Sequence, residues 1–288
     1  MSKFDEFSQI NQIAIKNPVN SFGSENKLKN EWQGLRFNDK PIFEESIKEF
    51  NKFKEILIND NIEIIDLPYS ENLTIDSIYT RDSIIVSPQG LILLNMGKSS
   101  RTPEAKENYK SLKLLGHKIA GEILPPGTLE GGDFIWIDEN HAAVGLGPRT
   151  NKEGINQLKK ILGDTVDLHI VNLPKPNHPE DVLHLMSIIS PLDKDLALIY
   201  PRFMSKSFIS WLKKLGLSFI KVSNNEYELM GCNVLATKPR SIIMLENILN
   251  VENDLKKSGC TVRTYKGDEI SKKGEGGPTC LTRPLLRS

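Results

Sequence analysis

Five side chains in this sequence are of the types that do covalent chemistry when brought together: Asp82, Glu130, Asp133, His184 and Cys280. A thiolate is a strong nucleophile, and a neighbouring imidazole can activate it or protonate what leaves. A carboxylate behind the imidazole fixes its tautomer and holds its charge. Cys280 ends the run Gly274-Glu-Gly-Gly-Pro-Thr-Cys280, and a glycine-rich approach lets backbone come close to a ligand. Each residue also has a plainer reading. Cysteine is often a small buried hydrophobe, which is how Cys232 and Cys260 read. Glu130 and Asp133 can be turn residues around Gly131-Gly132, and Asp82 can be a partner for Arg81. His117, His141, His169 and His178 lie in turns or on strands with no carboxylate partner evident, and read as structural.

Whether the five meet depends on the elements that carry them. Short apolar runs joined by tight turns read as hairpins: Ile84–Ser87 with Leu91–Asn95, Phe134–Ile137 with Ala142–Gly145, Leu185–Ile189 with Leu196–Tyr200, and Asn233–Ala236 with Ile242–Leu245. Their turns fall near 88, 139, 191 and 238, roughly 50 residues apart, a period typical of stacked supersecondary units. Apolar residues three and four apart predict a helix after each hairpin, over 103–115, 150–162, 205–215 and 247–258. A short strand follows each helix, at 118–124, 166–171, 217–222 and 261–265. The two ends complete a fifth unit, with Thr279–Thr282 pairing Gln12–Lys16 ahead of a helix at 41–58 and a strand at 62–66. Pairing the first and last strands closes a ring and removes an exposed sheet edge. The expectation is one α/β domain over 1–288, a five-fold pseudosymmetric propeller of ββαβ units. An ordinary α+β domain with accidental spacing is the alternative.

In that ring Asp82 precedes the first hairpin, Glu130-Gly-Gly-Asp133 the second, His184 opens the third, Asn233 the fourth and Cys280 the fifth. Equivalent positions in a ring converge on its axis, so acid, imidazole and thiol should meet at one end. The aperiodic stretch 17–40 reads as a loop, either a lid over that end or a passive excursion.

Bulk properties narrow the partners. The 288 residues are 39% apolar and 26% charged, with 37 basic against 37 acidic side chains. A balanced charge gives no electrostatic reason to expect nucleic acid or an anionic membrane. No apolar run approaches a membrane span, and the start of the chain lacks the pattern of a secretory signal. Three widely spaced cysteines predict a reducing, cytoplasmic setting without disulfides, and the lack of a Cys-x-x-Cys pair argues against structural zinc. Gly145-Leu-Gly147 ahead of a helix lacks the third glycine of a dinucleotide fingerprint.

Taken together, Leu129-Glu-Gly-Gly-Asp133, His184-Leu and Gly276-Gly-Pro-Thr-Cys280 resemble the guanidino-group modifying enzymes: arginine deiminase, dimethylarginine dimethylaminohydrolase (DDAH) and the amidinotransferases. The resemblance implies their five-bladed α/β propeller, the pentein fold. It implies Cys280, His184 and Glu130 as the catalytic group, Asp133 as a substrate contact, and no metal or organic cofactor. Asp76-Ser-Ile-Tyr-Thr-Arg-Asp82 is similar to the DDAH substrate segment, making Asp76 and Asp82 guanidinium and amino-group contacts. Ser100-Arg101 and Gly147-Pro-Arg149 are similar to segments whose arginines hold the substrate's α-carboxylate, although both could be surface ion-pair residues. The implied partner is a small guanidino amino acid, and the implied assembly a homodimer. Two positions depart. The hydrolases usually carry an acid where this chain has Arg81, and the deiminases an aspartate where it has Met186. The implied reaction is hydrolysis of arginine or a methylated arginine through an amidino-thioether on Cys280, with deimination, dihydrolysis or amidino transfer to an amine as alternatives.

Overall fold

The repeating unit is three strands and one helix, occurring five times. In the computed structural model, which describes residues 3–175 and 183–288, every sheet has three strands. One is β1 (Ile10–Ile15), β2 (Glu63–Asp66) and β15 (Thr282–Arg287). The others are β3 (Ile84–Ser87), β4 (Gly90–Leu93) and β5 (Ile119–Glu122); β6 (Phe134–Asp138), β7 (His141–Leu146) and β8 (Asp167–Asn172); β9 (Ile189–Asp193), β10 (Leu196–Ile199) and β11 (Ser218–Lys221); and β12 (Leu235–Lys238), β13 (Ser241–Leu245) and β14 (Thr261–Tyr265).

In each sheet the middle strand pairs antiparallel with one neighbour and parallel with the other. A parallel return needs a crossover, and a helix supplies it every time: α3 (Phe43–Asn59), α4 (Glu104–Leu114), α5 (Lys152–Leu162), α6 (Lys206–Lys214) and α8 (Leu249–Lys257). Local sequence explains their limits. Asn151 accepts the Gly154 amide at α5's start, and Gly163 ends that helix at φ 75°, a left-handed stop that favours glycine. Ile155, Leu158 and Leu162 form the buried stripe between them. Ser205 caps α6 in the same way.

The inner strands are apolar on both faces, giving the runs Ile84-Ile-Val and Ile242-Ile-Met-Leu, while the outer parallel strand of each sheet is half-exposed. Ring closure pairs Ile15 with Thr282 and Ile10 with Arg287, with the register shifting around Gln12. The closing strand starts at Thr282 rather than at Thr279, because Pro278–Leu281 form the turn that delivers Cys280. The third hairpin also moves. Ser190–Asp193 were expected to turn, but they lie inside β9 and the turn is Lys194-Asp195. Pro191 is tolerated because β9 is an edge strand of its sheet. Leu185–Ser187 form a single 3-10 turn ahead of that strand.

The stretch 17–40 is not the loop expected. Asn17 caps α1 (Pro18–Ser21) with proline at its first turn, and Ser24 caps α2 (Glu25–Glu31). These helices are too short for an apolar period to show. A further short helix, α7 (Asn224–Tyr227), follows β11. No helix among the described residues is long and apolar enough to cross a membrane.

Candidate active site

Four of the five first strands are preceded by a tight turn whose side chains point off the strand end. Thr80–Ser83, Gly131–Asp133 and Leu185–Ser187 pack on one another, and Thr80–Ser83 also packs on β15. Asp76, Asp82, Arg101, Arg149, His184 and Cys280 thereby line one cavity of about 150 Å³. Glu130 and Asp133 sit fully buried behind it. The convergence expected from the repeat is therefore present.

The imidazole is held from both sides. His184 Nε2 donates to Glu130 Oε2 at 2.8 Å, and Nδ1 lies 3.8 Å from Asp82 Oδ1. Burial opposes the imidazolium, but Asp82, Asp133 and Glu130 outweigh it and raise His184 to about 9. Burial likewise penalises the Glu130 carboxylate, yet the His184 hydrogen bond and the His184, Arg149 and Arg101 charges hold it well below the usual range. The resting pair is an imidazolium and a carboxylate. Glu130 Oε1 also accepts from the Lys98 amide at 3.0 Å and from Arg149 Nη1 at 3.3 Å. Asp133 accepts from Thr150 Oγ1 at 2.6 Å and from the Leu185 amide at 3.0 Å. It therefore anchors the turn carrying His184, and burial raises its carboxyl to about 6.

Glycine is required beside this pair. A Cβ on Gly132 would lie 2.5 Å from His184 Nδ1 and 2.8 Å from Asp82 Oδ1. On the opposite wall, a Cβ on Gly276 would lie 2.1 Å from the Tyr79 ring. Only a bare backbone passes at that distance.

The thiol is half-buried and receives the Asn233 Nδ2 donor at 3.3 Å. Asn233 Oδ1 in turn accepts from the Thr279 hydroxyl at 2.6 Å and its amide at 3.2 Å, fixing the approach to Cys280. Burial and the Asp82 charge push the thiol up, against the Asn233 and Thr279 contacts, so it rests protonated. Cys232 and Cys260 are buried away from the cavity.

Two arginines expected to meet substrate are buried rather than surface residues. Arg101 gives Nε and Nη2 to the two Glu104 oxygens, each at 2.8 Å, Nη1 to Asp82 Oδ2 at 2.7 Å, and Nη2 also to the Tyr79 carbonyl at 2.8 Å. Asp82 is thus the partner of Arg101, not of Arg81, whose Nη1 reaches Glu6 at 3.1 Å on the far side of the same turn. Asp76 has Lys98 Nζ 2.7 Å from Oδ2, a close ion pair without the alignment of a hydrogen bond. Lys98 Nζ also donates to the Leu35 carbonyl at 2.9 Å. Leu35, Arg36 and Asn38 line the cavity, so the 17–40 stretch covers the site. Glu104, Lys98, Tyr79 and Thr279 escaped the sequence reading because no spacing rule singles them out. Asn233 was visible as the fourth unit's equivalent of the others.

The remaining histidines sit elsewhere. His117 meets Gln12 at 3.1 Å and His169 stacks on Trp211 at 4.7 Å. His141 does have a carboxylate partner, Asp138 at 2.8 Å, within its own hairpin turn. His178 lies outside the described residues. Asp82, Glu130 and His184 each offer a ligand atom within 4.8 Å of the others. Arg101, Arg149 and the Gly132 amide already serve these carboxylates, so the positive charge a metal would bring is supplied by guanidinium groups.

Five ββαβ units with an acid-paired imidazole and a cysteine at their converging ends define the guanidino-modifying class of pentein enzymes. The chain belongs to the family described as N,N dimethylarginine dimethylhydrolase, eukaryotic, matched over residues 18–287. It is similar to the uncharacterized protein YkgA of Bacillus subtilis, at 29% identity over 82% of this chain and 79% of that one. An uncharacterized protein of Aeropyrum pernix matches at 25% over 88% of each. Among solved structures it superposes on a DDAH from Pseudomonas aeruginosa complexed with citrulline, with a TM-score of 0.76, 21% identity, and 97% and 100% of the two chains covered. The amidinotransferase SxtG from Microseira wollei gives a TM-score of 0.78 at 18% identity, over 99% and 97%. The N-terminal domain of ArgZ, a cyanobacterial arginine dihydrolase, gives 0.79 at 18%, over 97% and 98%.

Proposed function

We propose that this protein hydrolyses the guanidino group of arginine or a methylated arginine through a covalent intermediate on Cys280. The observation that carries this reading is the His184 imidazole, paired at 2.8 Å with Glu130, in the same cavity as the Cys280 thiol.

A guanidinium remains protonated at physiological pH, so a dry pocket must offer carboxylates to receive it. Asp82 serves that role, while Asp76, ion-paired with Lys98, faces the substrate's amino group. Arg81 faces Glu6, and Met186 is buried and apolar, so neither departure adds a carboxylate. The incoming cation offsets the Asp82 charge that holds the thiol protonated, so the thiol gives its proton to solvent as the substrate binds and leaves the thiolate. The Cys280 sulfur adds to the guanidinium carbon. The tetrahedral adduct then collapses, breaking the bond to one nitrogen. His184 donates a proton to that nitrogen, and ammonia or a methylamine departs. Nε2 is held by Glu130, so Nδ1 delivers the proton. The neutral imidazole next takes a proton from water, which attacks the amidino-thioether carbon and releases the ureido product and the thiol. Arg149 and Lys98 receive the substrate's carboxylate, while Arg101 holds Asp82 in place.

One feature favours amidino transfer as a second reading. Asn38 and Glu275 also line a neighbouring cavity of about 390 Å³ that includes Asn233, Glu228 and Glu246, an acidic setting suited to a cationic amine acceptor. The test is a panel of arginine, its methylated forms, agmatine and citrulline, each with and without an amine acceptor. Release of ammonia or methylamine without acceptor supports hydrolysis. Turnover only with acceptor supports transfer, and no turnover with either overturns both.

A further inference from the structure

Behind the turn that carries Asp82 lies a second, separate group of charges. Arg81, Arg283 and Arg287 are 1%, 5% and 4% exposed and line one small cavity with Glu6, Trp136 and Lys3. Two carboxylates are near. Glu6 Oε2 is 3.1 Å from Arg81 Nη1 and 3.9 Å from Arg287 Nη2. Asp5 is occupied by the Phe7 and Ser8 amides and the Ser8 hydroxyl. Three buried cations therefore face Glu6 and Asp5, the latter already engaged by its own turn, while Asp82, whose charge also reaches Arg283, is held by Arg101.

The donors show the same imbalance. Among the described residues, Arg81 Nη2, Arg283 Nε and Arg287 Nη2 find no hydrogen-bond acceptor. Arg283 has the Arg81 carbonyl on Nη2 and no carboxylate. Burial and the Arg81 charge drive its pKa well down, yet a guanidinium does not give up its proton in a protein. A buried charge with unmet donors requires a counter-charge. The cavity is about 30 Å³, against the roughly 10–15 Å³ that one water needs. That room suits a monatomic anion.

We propose that the Arg81–Arg283–Arg287 cavity is a binding site for a small monovalent anion of the size of chloride. The site is tied to the nucleophile through backbone. The Arg81 amide donates to the Cys280 carbonyl at 3.2 Å, and its Nε donates to the Thr279 carbonyl at 3.0 Å. The bound ion fixes the guanidinium that fixes this turn.

The test is thermal unfolding in sodium chloride against sodium gluconate at equal ionic strength. Gluconate is too large to enter. Chloride raises Tm saturably, by about 2–4 °C, and Arg283→Met abolishes the increment. Crystals soaked in bromide show an anomalous peak among the three guanidinium groups. Equal Tm in the two salts, or an increment that persists in Arg283→Met, overturns the site. Should Arg283→Met not fold, Glu6→Gln replaces it. Removing the competing carboxylate lowers the chloride concentration at half-effect several-fold, and an unchanged midpoint overturns the proposal.

Discussion

Glu104 grips Arg101 with both carboxylate oxygens at 2.8 Å, entirely out of water. Arg101 passes that constraint to Asp82 through Nη1. A substrate carboxylate would have to displace Glu104 to reach this guanidinium, whereas Arg149 and Lys98 also line the cavity.

Removing one member of a buried ion pair strands the other. Glu104→Met is expected to cost about 3–5 kcal/mol in urea unfolding. The double variant Glu104→Met/Arg101→Met should recover part of that stability, short of the whole because Asp82 then loses its guanidinium partner, and should lose activity because Asp82 is no longer held. Equal stability of the single and double variants would show that the pair is not coupled.

Cys280 should be the sulfur that reacts. An electrophilic amidine analogue is expected to add to it one adduct per chain, mapped by peptide mass. Cys232, sealed in the core with its thiol pushed up by burial, should stay unmodified. Cys280→Ser should lower kcat by at least about a thousandfold with Tm unchanged. Labelling spread over all three cysteines would remove the basis for the assignment.

His184 should set the alkaline side of the pH profile. Its proton is lost near 9, so kcat/KM should fall above that pH. Glu130→Gln removes a charge that raises His184, and the limb should move down by about 1–3 pH units. The sign for stability follows from the same shift. A raised imidazole pKa contributes stability that is complete below pH 6.5 and is lost as pH rises through about 9. An alkaline limb unmoved in Glu130→Gln would assign it to another group.

Asn233 should act on the sulfur rather than on the imidazole. Loss of a hydrogen bond to a charged group is worth about 1.5–3 kcal/mol. Asn233→Ala should therefore slow alkylation of Cys280 about 10–100-fold near neutral pH, with the alkaline limb of turnover unchanged. A moved limb with normal alkylation would reverse that assignment.

The ring was legible because its signal is redundant. Four hairpins, five helices and a fixed interval each report the same unit, so errors such as the misplaced turn at Pro191 did not propagate. Glu130, His184 and Cys280 could be read together because each falls just ahead of the first strand of its unit, the second, third and fifth. The supporting layer was not. Glu104 lies on α4 with an ordinary helical spacing from Arg101, and nothing in Arg101-Thr-Pro-Glu104 says that the pair is buried. Lys98 meets Asp76 only because two loops fold together. The short helices α1 and α2 were invisible because they are set by the single caps Asn17 and Ser24.

The pairing of β1 with β15 has a consequence for how the chain could be re-cut. The Ser288 amide donates to the Gln9 carbonyl at 2.9 Å, and the Lys3 amide donates to the Arg287 carbonyl at 2.9 Å, so residues 3–9 run beside residues 287–288. A short polar linker joining the two ends, with new ends opened at the Lys194-Asp195 turn, would leave every strand partner in place. Such a circular permutant should retain the native far-ultraviolet circular dichroism. The order in which the five units are synthesised is separable from the architecture they build.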